Sequence, residues 1–336
     1  LNSRYLRQIK LAEFGSVGQK KLTDAEVLVV GIGGLGCPAL QYLACSGVGK
    51  LVLMDDDLID ITNLGRQILF SPDDIGSPKV EVAKIQLQRL NPDIKIETRR
   101  ERFCQKNARE LVRHADVVLD GSDNFTTKYL INDACVLEKT PFCHGGVLKW
   151  SGSTFTYTPG SPCLRCLFED SPETEDIPNC SEVGTLGPVA GIIANIQATE
   201  VIKILCGAGK PLSGSLMSID AHNMQARRIH FPIKKNCAVC GEQPSITDAI
   251  EQGVQQPLSK DDAFLVTFEG QHQVIKAERH LKNRSYNVEA RVTPRQLSHE
   301  CGICLEVCCS SREELQATLS DANLIPSRLG RKKELS

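Results

Sequence analysis

Residues 26–30 (EVLVV) form a short apolar run that stops at GIGGLG, and CPALQYLACSGVG then places its apolar residues at helical spacing. LVLMDDD and ADVVLDGSDN repeat the theme: an apolar run closed by Gly, Asp or Asn, followed by an amphipathic stretch. Such alternation predicts strands that pair in parallel, with helices covering the sheet. GGVLKWSGSTFTYTPG lacks an intervening helix and predicts an antiparallel extension of that sheet. A loop rich in Pro, Asp, Glu and Cys is expected over 162–182, then a helix from near Gly187, and a late hairpin in SGSLMSIDAHNMQARRIHF. The apolar stretch Val189–Cys206 is broken by Asn195, Gln197, Glu200 and Lys203, which predicts a packed helix rather than a membrane span.

The pattern changes after Gly241. Residues 243–261 are polar and Pro-containing, as expected of a linker. AFLVTF, HQVIKAERHLKNR, YNVEARVT, CGICLEVCC and SREELQATLSDA then predict strand, helix, strand, strand and helix, a small ferredoxin-like module. The chain therefore reads as α/β: a Rossmann-like mixed sheet, parallel in one half with an antiparallel extension, plus a second, small α+β domain. The expected boundaries are 1–242 for the large domain, 243–261 for the linker, 262–325 for the small domain, and 326–336 for a solvated basic tail.

Composition narrows the classes of function. A chain of 336 residues with 41% hydrophobic and 24% charged residues is ordinary for a globular protein. A formal charge of −2 gives no reason to expect a nucleic-acid or membrane surface. The N-terminal LNSRYLRQIKLAEFG lacks the apolar core of a secretory leader, which predicts a cytoplasmic protein. In that compartment 15 cysteines point to metal ligation or thiol chemistry instead of a disulfide framework.

The glycine turn carries the first chemistry. Gly31, Gly33, Gly34 and Gly36 follow a strand and open a helix, so backbone N–H groups can approach a phosphate at the helix N-terminus. Asp55 stands about 20 residues on, where an acid binds ribose hydroxyls. Alone, this fingerprint points first to NAD(P) and an oxidoreductase. The downstream residues point elsewhere. Asn63, Arg66 and Gln67 come just after the acid, Lys79 follows Gly76-Ser-Pro, and Asp123-Asn124 closes VVLDGSDN. Two cations can offset a triphosphate's charge and Asp123 can hold Mg²⁺, a set that hydride transfer does not need. A non-catalytic nucleotide-binding scaffold is a third reading, against which the intact Arg66, Lys79 and Asp123 argue.

RYLRQ, VGIGGLG, DDDLIDITNLGRQ, GSPKVEVAK, LDGSDN, PCLRC and CAVCG, in this order over roughly residues 3–242, resemble the MoeB/ThiF/HesA family. The resemblance implies an ATP-dependent adenylyltransferase acting on the C-terminal carboxylate of a small ubiquitin-like sulfur carrier ending in Gly-Gly. It implies Mg·ATP held by the turn glycines with Asp55, Thr62, Asn63, Arg66, Gln67, Lys79, Asp123 and Asn124. It also implies a homodimer in which Arg7 of one subunit reaches the nucleotide of the other.

Cys163-Leu-Arg-Cys166 and Cys237-Ala-Val-Cys240 are two C-x-x-C pairs far apart in sequence. Four thiolates from two such knuckles predict a closed, tetrahedral, structural Zn²⁺ site, and the family resemblance agrees. Cys180, in IPNCSEVG, matches the position where this superfamily can carry a catalytic thiol. A chemical and an inert role stay equally open there. Cys37, Cys45, Cys104, Cys135, Cys143 and Cys206 are expected in the core. Residues 262–325 resemble small proteins described as selenium/sulfur carriers, with Cys301-Gly302 at a loop-to-strand junction near Arg295 and His299. Cys301 is thereby a candidate persulfide carrier, or an inert residue of an accessory module. A cysteine desulfurase or another persulfide donor is the further partner that this chemistry implies.

Overall fold

The computed structural model describes residues 3–168, 184–249, 263–268, 271–284, 286–292, 303–309, 311–322 and 324–331. The chain divides into two units at Gly253–Val254.

The first unit opens with two helices, α1 (Leu6–Ile9) and α2 (Gly15–Asp24), and then alternates strand and helix. In order these are β1 (Glu26–Val30), α3 (Gly36–Ser46), β2 (Lys50–Met54), α4 (Lys79–Leu90), β3 (Lys95–Arg99), α5 (Ala108–His114), β4 (Val117–Asp120) and α6 (Phe125–Glu138). The hairpin β5 (Phe142–Leu148) and β6 (Ser151–Tyr157) comes next, then α7 (Leu164–Leu167), α8 (Gly187–Cys206), and a last hairpin of β7 (Ser215–Asp220) and β8 (Gln225–His230). The sheet order is β3-β2-β1-β4-β5-β6-β7-β8. Pairing is parallel from β3 to β5 and antiparallel from β5 to β8, the mixed sheet that the sequence predicts.

Strand period sets the two layers of the core. Val27 and Val29 face one cluster with Leu51, Leu53, Val117 and Leu119, covered by residues of α3, α4 and α8. Leu28 and Val30 face the other with Val52, Met54 and Val118, covered by residues of α5 and α6. Helix α8 is long and apolar enough to cross a membrane by length and composition, but Val189, Ile193, Ala194 and Val201 are buried in the sheet's core. It is a core helix, as expected.

Strand order reverses between β1 and β4, and this switch point is where such sheets open a ligand crevice. The two strand ends meet there so closely that only glycine fits. A Cβ on Gly31 would lie 2.7 Å from the carbonyl oxygen of Gly121, and one on Gly121 would lie 2.5 Å from that of Gly31. Gly31 also has φ +91°, in the region that glycine enters without strain.

The expected linker 243–261 is corrected at its start. Ile246 donates its N–H to the Ala238 carbonyl at 2.8 Å, Asp248 pairs with Arg109 at 3.3 Å, and Ala249 is fully buried in the first unit's core. Two apolar residues in a polar stretch are enough to anchor it.

The second unit contains β9 (Ala263–Thr267), α9 (Gln271–Lys282), β10 (Asn287–Val292), β11 (Ile303–Cys308), α10 (Arg312–Asp321) and β12 (Arg328–Arg331). Its sheet runs β10-β11-β9-β12 with antiparallel pairing throughout. Phe264, Val266, Leu305 and Val307 pack with Val274, Ala277 and Leu281 of α9 and with Leu315 and Leu319 of α10. β12 corrects a second expectation, because residues 328–331 pair with β9 instead of forming a solvated basic tail. The apolar Leu324 and Leu329, both buried, hold the segment down; its basic composition concealed them.

Candidate functional site

The strand ends at the switch point, with the hairpin β5–β6 beside them, enclose a cleft of about 570 Å³. Nine of the residues singled out in the sequence line it: Gly31, Gly33, Gly34, Asp55, Arg66, Gln67, Lys79, Asp123 and Asn124. They come from five separated segments, and each is positioned by local chemistry.

Gly36 must lack a side chain, since a Cβ there would lie 2.1 Å from the Gly31 carbonyl oxygen. It thus shapes the turn from behind. Asp55 accepts from the backbone N–H groups of Ile32 at 2.7 Å and Asp57 at 2.9 Å, which fixes the carboxylate under the glycine turn. Burial raises its pKa above the ordinary value, while the Lys79 charge and those two N–H groups work the other way.

Thr62 and Asn63, expected to touch the nucleotide, do not line the cleft among the described residues. They build the turn that delivers Arg66. The Thr62 hydroxyl donates to Asp60 at 2.6 Å, and Asn63 Oδ1 accepts from the Asp60 N–H at 3.1 Å, which closes a capping box. Arg66 N–H then bonds the Asn63 carbonyl, and its guanidinium Nη1 bonds the Thr62 carbonyl at 3.1 Å. The Arg66 stem passes over Gly34, where a Cβ would come within 3.3 Å of it.

Gln67 is almost fully buried, and its Oε1 has no hydrogen-bond partner among the described residues. An orphaned acceptor on a cleft wall suits a ligand's N–H or hydroxyl donor. Lys79, the first residue of α4, is 5% exposed and pairs with the exposed Asp57 at 2.6 Å. Asn124 caps α6 by accepting from the Thr127 N–H at 2.8 Å. Asp123 is exposed on the cleft wall, whereas the carboxylates that converge on one another are those of Asp55, Asp56 and Asp57. The cleft therefore offers a phosphate-suited turn, two cations and several carboxylates, which fit a magnesium-bound triphosphate.

The structure adds residues that the sequence pattern does not single out. Asp120, at the end of β4, is fully buried and accepts from Lys128 Nζ at 3.0 Å and His144 Nδ1 at 2.9 Å, as well as from the Ser122 hydroxyl at 2.6 Å. Burial opposes its charge, but Lys128 and the His144 hydrogen bond prevail and hold the carboxyl down at about 2. Burial, reinforced by the Lys128 charge, lowers the His144 pKa against the pull of Asp120. The only hint in sequence is the polar D-x-x-D…K register of LDGSDNFTTK, and nothing there names His144.

The two cysteine pairs converge outside the cleft. The sulfurs of Cys163, Cys166, Cys237 and Cys240 lie within 4.8 Å of one another, with individual separations of 3.4 to 3.6 Å. A tetrahedron of Zn–S bonds would set them about 3.7 Å apart, so the donor set fits a thiolate-bound metal. The first pair is pinned to α6. Arg165 makes a two-pronged ion pair with Asp133 at 2.8 Å, and the Leu164 N–H donates to Asn132 at 2.8 Å. The second pair turns tightly at Gly241, where a Cβ would strike the Cys237 carbonyl oxygen at 2.6 Å.

Arg7 sits exposed on α1 and does not line the cleft. Cys180 and Cys301 lie outside the described residues. Of the cysteines expected in the core, Cys37, Cys135, Cys143 and Cys206 are buried, but Cys45 is exposed and Cys104 half-buried. Cys45 stands on the outward face of α3, and Cys104 stands in the loop before α5.

Residues 5–240 match the model of the ThiF family, and residues 263–329 match that of the putative Se/S carrier protein-like family. The chain is 44% identical over 239 residues to the SAMP-activating enzyme E1 of Haloferax volcanii, covering 71% of this chain and 88% of that one. It is 39% identical over 254 residues to the sulfur carrier protein adenylyltransferase of Thermus thermophilus, covering 74% and 94%. Against the adenylyltransferase and sulfurtransferase MOCS3 of Aedes aegypti it is 43% identical over 251 residues, a match that spans 57% of that longer protein. Among solved structures, E. coli MccB with ATP superposes with a TM-score of 0.64 at 28% identity, over 72% of this chain and 75% of that one.

Proposed function

The chain belongs to the ThiF family, and from that premise we propose that its cleft adenylates the C-terminal carboxylate of a ubiquitin-like sulfur carrier ending in Gly-Gly. Its relatives are adenylyltransferases by name, which sets the oxidoreductase reading aside. The observation that carries the proposal is the convergence of the glycine turn, Arg66, Lys79 and Asp123 on one cleft.

The carrier's carboxylate oxygen attacks the α-phosphorus of ATP, a P–O bond forms, and the bond to the β-phosphate breaks to release pyrophosphate. The carboxylate is already the nucleophile, so no side chain need take a proton. Binding and charge do the work. Asp55 holds the ribose, the glycine turn and α3 N-terminus approach the phosphates, and Arg66 and Lys79 offset the charge that develops on the leaving group. Asp123 holds the Mg²⁺, which supplies Lewis-acid neutralisation of the phosphate oxygens when bound. Arg7, exposed on α1, completes the partner's cleft in a homodimer.

The four cysteines hold Zn²⁺ as a closed structural centre, away from the chemistry. The outer sulfur of a persulfide, carried by Cys301 of the small module or by a cysteine desulfurase in the cytoplasm, then attacks the acyl-adenylate and displaces AMP. A second thiol reduces the resulting acyl disulfide, leaving a disulfide and releasing the carrier's thiocarboxylate, which mass spectrometry of the carrier detects.

Pyrophosphate–ATP exchange with a Gly-Gly carrier tests the proposal. The wild type exchanges only when the carrier is present, and Asp123→Ala lowers the rate by about 10²-fold or more. No exchange in the wild type, or undiminished exchange in Asp123→Ala, overturns it.

A further inference from the structure

The two walls of the cleft differ in chemistry. One carries Arg66 and Lys79, suited to an anion. The other, from β5 to β7, presents glycines, serines and His144. His144 is buried, and its Nδ1 is committed to the anionic Asp120 at 2.9 Å. Because Asp120 can only accept, Nδ1 carries the proton and Nε2 presents a lone pair. Lys128 locks this arrangement by bridging Asp120 at 3.0 Å and the Gly145 carbonyl at 2.6 Å.

His144 itself lines the cleft. Its Nε2 lies 3.8 Å from where a Cβ on Gly146 would stand, and Gly146 lines the cleft too. Behind this wall the packing against α8 leaves no room for side chains. A Cβ on Gly145 would meet Gln197 Oε1 at 2.5 Å, and one on Gly152 would meet Ile193 at 2.4 Å. A triphosphate offers mainly acceptors, so a lone-pair acceptor is poorly matched to it. A peptide N–H matches it well.

We infer that His144 Nε2 accepts a backbone N–H from the terminal Gly-Gly segment of the carrier, and so sets the register of its carboxylate against the α-phosphorus. Asp120 and Lys128 are positioning residues that fix the tautomer. The inference rests on the adenylation proposed for this cleft and adds a specificity contact to it.

The test is pyrophosphate–ATP exchange with MoaD- and ThiS-type carriers, carrying forward whichever supports exchange in the wild type. His144→Phe keeps a ring but removes the acceptor; it raises KM for the carrier about tenfold and leaves KM for ATP within about twofold. His144→Gln, which restores an acceptor, recovers part of the loss. A semisynthetic carrier with N-methylglycine at the last or penultimate position costs the wild type about tenfold at one of the two, and costs His144→Phe nothing further. If KM for ATP and carrier rise together, or the two losses multiply, the contact is not made. Absence of exchange in the wild type overturns the adenylation proposal and this inference with it.

Discussion

The cysteine cluster and the cleft at the switch point solve opposite problems within one unit. The cluster draws four identical groups from two short knuckles, packs their sulfurs 3.4 to 3.6 Å apart, and fixes one knuckle through the buried Arg165–Asp133 pair. The cleft draws unlike groups from segments between Gly31 and Ser218 and leaves some of them on provisional partners, such as Lys79 on Asp57. A closed centre serves the fold, and an open one must exchange partners when substrate arrives. Stability should therefore depend on the first and turnover on the second.

The largest expected effect breaks the closed centre. Cys237→Ser removes one of the four sulfurs of the proposed metal centre, and because binding at such a centre is coupled to folding it should lower stability by about 3 kcal/mol or more. Thermal unfolding with metal analysis measures it. Full stability without bound metal would show that the cluster does not hold the fold, and the contrast with the cleft would collapse.

A smaller effect lies beneath the cleft, where fold and function meet. Asp120 is held at about 2 against an ordinary carboxyl value of 3.8. A group with a depressed folded-state pKa contributes stability above its unfolded value and loses it as pH falls through the folded one. Asp120 thus contributes about 2 kcal/mol at neutral pH, lost between about pH 4 and pH 2. His144 adds a slope of the same sign at higher pH, because its depressed pKa makes the unfolded chain bind the proton first as pH falls below 6.5. Denaturant unfolding across this range should show both limbs, and Asp120→Asn should flatten the lower one. An unchanged acid limb would place that stability elsewhere.

Legibility in the sequence follows the same division. Two C-x-x-C pairs and a glycine turn carry their meaning in fixed local spacing, so both are readable from the order of residues alone. The alternation of apolar runs likewise foretells the mixed sheet, down to its antiparallel half. Thr62 and Asn63 fall within the right motif, but their side chains turn back to Asp60 and support Arg66. His144 and Lys128 owe their importance to contacts with Asp120 across β4, β5 and α6, which no local pattern encodes. The packed start of the supposed linker and strand β12 are hidden for another reason: one or two buried apolar residues decide them, and average composition does not register so few.

The smallest effect sharpens what an open site means. Lys79 is nearly buried, Asp57 has 65% of its side chain exposed, and the two are 2.6 Å apart. Such a pair, screened on one side by solvent, is worth under about 1 kcal/mol. If a phosphate takes Asp57's place on Lys79, binding must first break that pair. Asp57→Asn should then lower KM for ATP by about two- to threefold, with KM for Mg²⁺ unchanged. Asp57 also stands beside Asp55 and Asp56, whose carboxylates lie close enough to share a cation. Were Asp57 a ligand rather than a placeholder, the same substitution would raise KM for Mg²⁺ and leave ATP no tighter. Exchange kinetics at varied Mg²⁺ separate the two, and only the first outcome is consistent with a cleft that rests on replaceable partners.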